Sequence, residues 1–319
     1  MNTESFPALA GLIGPENVAD FLSERLECAP YLASASTELA ANNLLSIDDV
    51  DRFFSTIKYR TTECFCVNGD SPIDVSEFAY RGVVDSRKAL RLFGEGATIV
   101  LNRVHLYHSP LSEICVRLGE EFSAPCQANV YLTPPNAKGF NLHYDTHDVF
   151  IFQSAGTKQW RVYGPALELP LAGQGTSERL DPKGDPILES ELTPNQVLYI
   201  PRGWMHEGNA TSSVSLHITF GMYFFTWADA ILESVSHRLL SEKKYRSALP
   251  PDFLRPWSDT AAIERRLQAL IADVASTVDA GSLKQSLNDQ YKDQMQTNTA
   301  GLLTRLIRQR APERLASVV

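Results

Sequence analysis

The sequence predicts a mainly β core, a sandwich or barrel, with helical segments on either side of it. Three observations carry this. Between about residues 97 and 226, short alternating or apolar runs are separated by Pro, Gly and Asn, the pattern of many short strands joined by turns. Ahead of that stretch, apolar residues recur at the spacing of amphipathic helices. From Trp227 onward the helical spacing returns. The chain divides accordingly into a helical lead-in with the first barrel-supporting elements (1–96), a barrel (97–226) and a helical tail (227–319).

In the lead-in, Val18, Phe21, Leu22 and Leu26 form one stripe of a helix from Pro15 to Leu26, with Pro15 tolerated in the first turn. Ser46 followed by Asp48 and Asp49 marks a second helix start, and Val50, Phe53, Phe54 and Ile57 supply its apolar face. The strand candidates are Thr98–Leu101, Gln127–Thr133, Asp148–Gln153, Gln159–Tyr163, Val197–Ile200 and Val214–Met222, with Gly173–Asp185 a loop. In the tail, Trp227, Ile231, Val235 and Leu239 form one stripe. Ile263, Leu267, Leu270, Ile271 and Val274 form another, and Leu302, Leu303, Leu306 and Ile307 a short third.

With 29 basic and 38 acidic residues the net charge is −9, which disfavours direct nucleic-acid binding and suits a basic partner. The first residues lack the basic and apolar regions of a secretory leader, and no apolar run reaches the length of a membrane span. Cys28, Cys64, Cys66, Cys115 and Cys126 are odd in number and follow no framework spacing. Free thiols in a reducing cytoplasm, away from membranes, are expected. Cys64-Phe-Cys66 has no second Cys or His pair at zinc-site spacing.

The chemistry concentrates in Asn141-Leu142-His143-Tyr144-Asp145-Thr146-His147-Asp148. His143 and Asp145 are two apart, so an extended segment presents imidazole and carboxylate on one face. Two His and one carboxylate form the facial triad of non-haem Fe(II) oxygenases, which leaves three metal positions open. The third ligand candidate is His206, which follows the strand Val197–Ile200 and the turn Pro201-Arg202-Gly203. Alternation puts Asn129, Tyr131 and Thr133 on one face of their strand and Ser215, His217 and Thr219 on one face of theirs. A packed core rejects such polar rows, whereas a cofactor pocket accepts them. Lys158 on a barrel strand suits the anchoring of an anion, and its charge is costly there without one. His217 reads equally as a hydrogen-bonded core histidine or a pocket contact, and Arg202 as a turn fixer or a substrate-carboxylate contact. Asp148 and His147 read as supports of the ligands or residues of the mouth, Trp160 and Trp204 as barrel walls, and His105 and His108 as packing residues.

Several strings occur together and in order. They are Asn129–Pro134, the His143–Asp145 pair, Phe150–Gln153, Gly156–Tyr163, Tyr199–His206 and Leu216–Thr219. On these the chain resembles the JmjC/cupin-4 family of Fe(II)- and 2-oxoglutarate-dependent oxygenases, and within it the ribosomal-oxygenase branch of protein hydroxylases. The resemblance implies a double-stranded β-helix, the jelly-roll of cupin and JmjC proteins, with an N-terminal helical segment and a C-terminal helical bundle. It implies Fe(II) on His143, Asp145 and His206, and Lys158 on the distal carboxylate of 2-oxoglutarate. It places Asn129, Tyr131 and Thr219 along that cosubstrate, and makes O₂ the oxidant and succinate and CO₂ the coproducts. It implies a homodimer formed through the C-terminal helices.

Two departures stand out. Thr193-Pro194-Asn195-Gln196 replaces the usual Gly-Asp turn, and the residues after Trp227 are too few for both a helical bundle and the branch's usual winged helix. The expected substrate is therefore a protein or peptide side chain, from a ribosomal protein or a natural-product precursor peptide. Competing readings are an N-methyl-lysine demethylase, for which no histone-reader or zinc-binding segment is visible, and a catalytically silent metal-binding cupin or assembly protein.

Overall fold

The computed structural model describes residues 5–69, 71–175, 181 and 184–295. Its strands are β1 (Tyr31–Ser34), β2 (Cys64–Asn68), β3 (Ser71–Pro72), β4 (Ala79–Tyr80), β5 (Val83–Val84), β6 (Thr98–Leu101) and β7 (Cys126–Thr133). They continue as β8 (Asp148–Ala155), β9 (Lys158–Pro165), β10 (Leu188–Leu192), β11 (Gln196–Ile200), β12 (Trp204–Ala210) and β13 (Ser215–Met222). An eight-stranded antiparallel sheet runs β1-β11-β8-β13-β7-β6-β2-β3, and a three-stranded sheet runs β10-β9-β12. Together they form a mainly β core with flanking helices, as the sequence predicts.

Alternation decides what each face of the large sheet meets. Phe150 and Phe152 of β8, Val197 and Tyr199 of β11, Ala128, Val130 and Leu132 of β7, and Leu216, Ile218 and Phe220 of β13 all enter one large core. The other side of that core comes from residues 5–122, including Leu9, Leu12, Phe21, Val50, Phe53, Leu111 and Leu118. The intervening residues Val149, Ile151, Leu198 and Ile200 turn the opposite way and pack with Trp160, Val162 and Leu192 of the small sheet. Central strands covered on both faces explain the unbroken apolar strings Val149–Phe152 and Val197–Ile200.

The lead-in contributes more than helices. β1 pairs with β11 and β2 pairs with β6, so residues before 97 extend the large sheet. Both thiols of Cys64-Phe-Cys66 are buried in the core on β2. The expected helix from Pro15 to Leu26 is broken into a 3₁₀ turn (Pro15–Asn17), one α turn (Val18–Asp20) and a π turn (Phe21–Arg25). Ser46 does cap the helix Ile47–Thr56: its Oγ accepts the Asp49 N–H at 3.1 Å, and the Asp49 carboxylate accepts the Ser46 N–H at 2.9 Å. Asn195 takes a φ of 68° in the variant turn before β11, a conformation open to Asn at lower cost than to most residues. Gly156, at φ 63°, turns β8 into β9, and a Cβ there would lie 1.7 Å from the Val214 carbonyl oxygen.

Residues 225–295 form a separate compact unit. In it, Trp227–Ser241 packs with Thr260–Ala275 and Ala280–Met295. Thr226 and Asp229 cap the first helix reciprocally. Trp227, Ile231, Leu232 and Leu240 remain exposed. The stripe at Leu302–Ile307 and part of the loop Gly173–Asp185 lie outside the described residues. Among the described residues no helix is long and apolar enough to cross a membrane.

Phe150 is fully buried where the large sheet meets the π turn, with its ring 5.5 Å from Phe21 and 4.9 Å from Tyr199. Phe150→Ala is expected to cost about 3–5 kcal/mol in urea unfolding. A loss below ~1 kcal/mol would show that this junction adds little to the fold.

Candidate metal centre and its cavity

His143, Asp145 and His206 come together with one ligand atom from each, all within 4.8 Å of one another. The segment around His143 is not the short strand that spacing suggests. It is irregular and touches β12 through isolated bridges, Lys138 to Asn209 upstream and then His143 to His206. Across that bridge the His206 N–H donates to the His143 carbonyl at 2.8 Å, and the His143 N–H to the His206 carbonyl at 3.2 Å. Two residues on, the Gly203 N–H donates to the Asp145 carbonyl at 2.8 Å. Gly203 has φ 84°, and a Cβ there would sit 1.9 Å from the Leu167 carbonyl oxygen, so only glycine fits this approach.

The imidazoles are oriented from behind. The Nδ1 of His143 lies 2.7 Å from the Asn141 carbonyl, and that of His206 lies 3.0 Å from the Trp204 carbonyl. Each carbonyl can only accept, so both Nδ1 atoms carry the proton and both Nε2 lone pairs face the centre. Burial, reinforced by His143, pushes His206 down to about 4, so it is a neutral ligand at neutral pH. Burial alone would raise the Asp145 carboxyl, but the His206 and His143 imidazoles outweigh it and hold the acid below its ordinary value. A neutral His206 and a carboxyl held below its ordinary value suit a divalent cation.

These ligands open into a cavity of about 230 Å³ that receives residues from both sheets. Tyr131, Ile151, His217 and Thr219 come from the large sheet, Lys158, Trp160, His206 and Gly208 from the small one. Lys158 is 2% exposed. Its Nζ lies 3.5 Å from Thr133 Oγ1 and 5.1 Å from the centre of the Trp160 ring. No carboxylate among the described residues pairs with it. Burial pushes its ammonium down to about 7. Gly208 makes room for it: a Cβ there would lie 2.9 Å from Lys158 Cε and 3.0 Å from the Trp160 ring. His217 stacks on Tyr131 with centroids 4.7 Å apart and planes 2° apart. Its Nδ1 is buried without a partner, as is Trp160 Nε1. Burial, then the Lys158 charge, keeps His217 neutral.

The other sequence-derived candidates fall elsewhere. Asn129 shares the Tyr131 face but is not brought to the cavity wall, and its Oδ1 accepts the Arg103 N–H at 2.9 Å. Arg202 is not available as a substrate contact: its guanidinium is buried between Asp148 at 2.9 Å and Glu27 at 2.6 Å. Asp148 is fully buried and does not border the mouth. Trp204 packs against the apolar cluster between the sheets and lends its carbonyl to His206. His147 stacks on Tyr223 at 4.6 Å and is not among the grouped ligands. His105 accepts the Ala128 N–H at 3.1 Å in the core, and His108 meets the Leu44 carbonyl. Trp160 proves to be cavity lining, and Phe65 and Phe140, which the motifs did not single out, join it there. Parity on β9, two residues from Lys158, was the available signal for Trp160.

Fold and centre together define a class, and comparison with known proteins agrees. The JmjC domain family matches residues 106–230. A Drosophila persimilis protein named bifunctional lysine-specific demethylase and histidyl-hydroxylase NO66 is 33% identical over 267 residues, covering 77% of this chain and 37% of that protein. Human ribosomal oxygenase 1 is 35% identical over 175 residues, covering 52% of this chain and 27% of that protein. The chain thus spans roughly a third of the length of these curated relatives. Among solved structures, Escherichia coli ribosomal oxygenase YcfD superposes with a TM-score of 0.54 at 19% identity, over 80% of this chain and 66% of that one. The same enzyme in complex with cobalt and 2-oxoglutarate gives 0.56 at 17%, over 86% and 70%. At these identities the structural likeness speaks to the fold.

Residues 106–230 are a JmjC domain. The chain's likeness is to the ribosomal-oxygenase branch of that family. JmjC oxygenases use Fe(II), 2-oxoglutarate and O₂, and His143, Asp145 and His206 are the matching metal-ligand set here.

Lys158 makes the electrostatics of the cavity measurable. It titrates near 10.5 when unfolded and near about 7 when folded. Between those values the unfolded chain holds more protons, so the Lys158 contribution makes stability rise with pH across that window. Below pH 7 the burial penalty is full. Lys158→Met is therefore expected to be more stable than the parent below about pH 7, with the gap closing as pH approaches 10.5. Urea unfolding across this range checks it, and a gap that does not change with pH would refute the buried, unpaired charge.

Proposed function

We propose that the chain is an Fe(II)- and 2-oxoglutarate-dependent oxygenase that hydroxylates a side chain of a protein or peptide. The observation that carries this reading is a buried lysine without a counter-ion that lines the same cavity as a two-histidine, one-carboxylate ligand set. Burial of an unpaired ammonium is unfavourable, and an anionic ligand offsets it. A dicarboxylate that reaches Lys158 with one end and the metal with the other fits a cavity of about 230 Å³.

In this reading His143 Nε2, His206 Nε2 and the Asp145 carboxylate would hold Fe(II). When bound, iron and 2-oxoglutarate supply the oxidising power: one oxygen of O₂ goes to the succinate formed with CO₂, the other to a substrate C–H bond. The protein's own work is positional. Lys158 pairs with the distal carboxylate and stays protonated once it does. Trp160 Nε1–H and neutral His217 add polar partners at the wall, with Thr219 and Tyr131 alongside. Ile151, Phe65 and Phe140 keep water out. Asn141 and Trp204 keep the imidazoles aimed.

The substrate is a ribosomal protein or another peptide, such as a natural-product precursor, and the net charge of −9 favours a basic one. The names of the similar NO66 proteins pair histidyl hydroxylation with lysine demethylation. Hydroxylation of an N-methyl carbon would lead to demethylation on the same site chemistry, so the two differ in what enters the cavity. Exposed Trp227, Ile231 and Leu232 support a homodimer formed through the helices after the barrel, in a cytoplasmic protein.

Two tests follow. His206→Ala and Asp145→Ala are each expected to lower succinate release by more than the ~10–100-fold typical of losing an outer-sphere partner. Lys158→Ala should raise the KM for 2-oxoglutarate with metal binding retained. Succinate release that is unchanged in the first two variants would overturn the assignment. With candidate peptides, mass spectrometry should show gain of one oxygen, and loss of a methyl group would instead assign demethylation. Ile231→Glu is expected to halve the mass in light scattering, and a parent that is already monomeric would refute the dimer.

A further inference from the structure

We propose that Arg202, Asp148, Tyr199 and Glu27 form a largely buried positioning relay, with Glu27 at its surface end, that sets the geometry of the metal ligands, making the N-terminal turn that carries Glu27 part of the metal site. This rests on the metal reading above.

The four residues close a ring of contacts drawn from three separate parts of the chain, Tyr199 and Arg202 lying together at the end of β11. Arg202 Nη1 donates to Asp148 Oδ1 at 2.9 Å, and Nη2 meets Glu27 Oε1 at 2.6 Å. The other Asp148 oxygen accepts the Tyr199 hydroxyl. The Tyr199 oxygen in turn accepts the Glu27 N–H at 2.8 Å. Asp148 and Tyr199 are both fully buried.

Both ends of the ring reach the ligands through short backbone. Asp148 follows Asp145 by three residues, and Arg202 precedes His206 by four. Between them, the Gly203 N–H ties the turn to the Asp145 carbonyl, and the His143–His206 bridge closes the far side. The ligand segment is irregular and joins β12 only through isolated bridges, at Lys138–Asn209 and His143–His206, and the ring grips the backbone at both its neighbouring ends, Asp148 and Arg202.

A role confined to stability does not account for the arrangement. Replacing a buried ion pair with apolar residues is often neutral or stabilising, so such a pair is poor evidence for a stabilising role alone. Costly backbone also collects here: the π turn Phe21–Arg25, and Glu27 at φ 61°. π turns and left-handed non-glycine residues cluster at functional sites. Phe21 of that turn packs edge-on against Tyr199 at 4.8 Å, which fixes the phenol that the ring needs. Arg202 answers two carboxylates with a planar fork, a geometry lysine cannot reproduce.

The test is Co(II) binding to the full chain, read as Kd and as the position of the visible absorption bands. Arg202→Met is expected to weaken binding by about tenfold or more and to move the bands, in the range of outer-sphere losses. Arg202→Lys should recover part of the affinity. Glu27→Ala, whose side chain is 40% exposed and so tests the relay without opening the core, should weaken binding severalfold. Ser46→Ala loses a helix cap in the same unit without touching the ring, and should leave Kd and bands unchanged. Wild-type Kd and bands in both Arg202→Met and Glu27→Ala would overturn the relay, as would an equal shift in Ser46→Ala. His206→Ala separates the two layers: if it abolishes binding, the metal reading stands whatever the relay variants do. If it binds like the parent, both fall.

Discussion

The centre of the large sheet has no solvent face. Residues 5–122 cover one side of β8 and β11 with a continuous apolar core, and the small sheet covers the other. This double burial fixes the register of β7, β8, β11 and β13, because a one-residue slip would exchange the two sets of side chains. It also creates the site. Where β13 and β7 pass the end of the inter-sheet cluster, the inward positions change from Val and Ile to His217, Thr219 and Tyr131, and packing gives way to a cavity.

A cavity made in this way confines charge. Phe65, Phe140, Ile151 and Trp160 give the cavity apolar walls, which makes polar groups buried against them costly unless they are used. Much of the neighbouring polarity is settled internally: Thr98 donates to Thr133 at 3.1 Å, and Gln153 donates to Ser215 at 3.0 Å. His217 Nδ1 and Trp160 Nε1 have no partner, and Lys158 has the Thr133 hydroxyl at 3.5 Å but no counter-ion among the described residues. Unmet polarity here suits a ligand with an anionic end, as proposed above, and it lies in the same cavity as the His143, Asp145 and His206 ligand atoms. The two features need one another, since neither a lone buried lysine nor a lone ligand trio would select a dicarboxylate that bridges both.

Alternation made most of this legible in the sequence. Tyr131, His217 and Thr219 were readable as one inward row because their neighbours Val130, Leu132, Leu216, Ile218 and Phe220 are uniformly apolar. His143, Asp145, His206 and Lys158 were readable from spacing and turn context, though not their mutual distances. β10 and β12 were not readable as strands. Leu188-Glu189-Ser190-Glu191-Leu192 is short and mostly polar, and β12 carries His206 and Gly208 where a sheet would have apolar residues, because that face lines the cavity. The π turn was hidden because its apolar spacing is close to that of an α-helix. Glu27 was hidden for a different reason: its partner Tyr199 is 172 positions away, and no local pattern records a contact at that range.

The contrast between the ligands and their supports shows how the chain divides the work. His206 stands on a strand whose neighbours hold it, whereas His143 and Asp145 stand on backbone that the ladder has released. Releasing it lets three donors from separate places converge within 4.8 Å, which a flat, fully paired sheet does not readily allow. The freedom so gained must be removed again by other contacts. Backbone hydrogen bonds from Gly203 and His206 remove part of it, and the buried Arg202–Asp148 pair lies where the remainder would act. A turn near the start of the chain thereby comes to bear on a metal site more than a hundred residues later, not through proximity in sequence but because β11 brings Tyr199 between them.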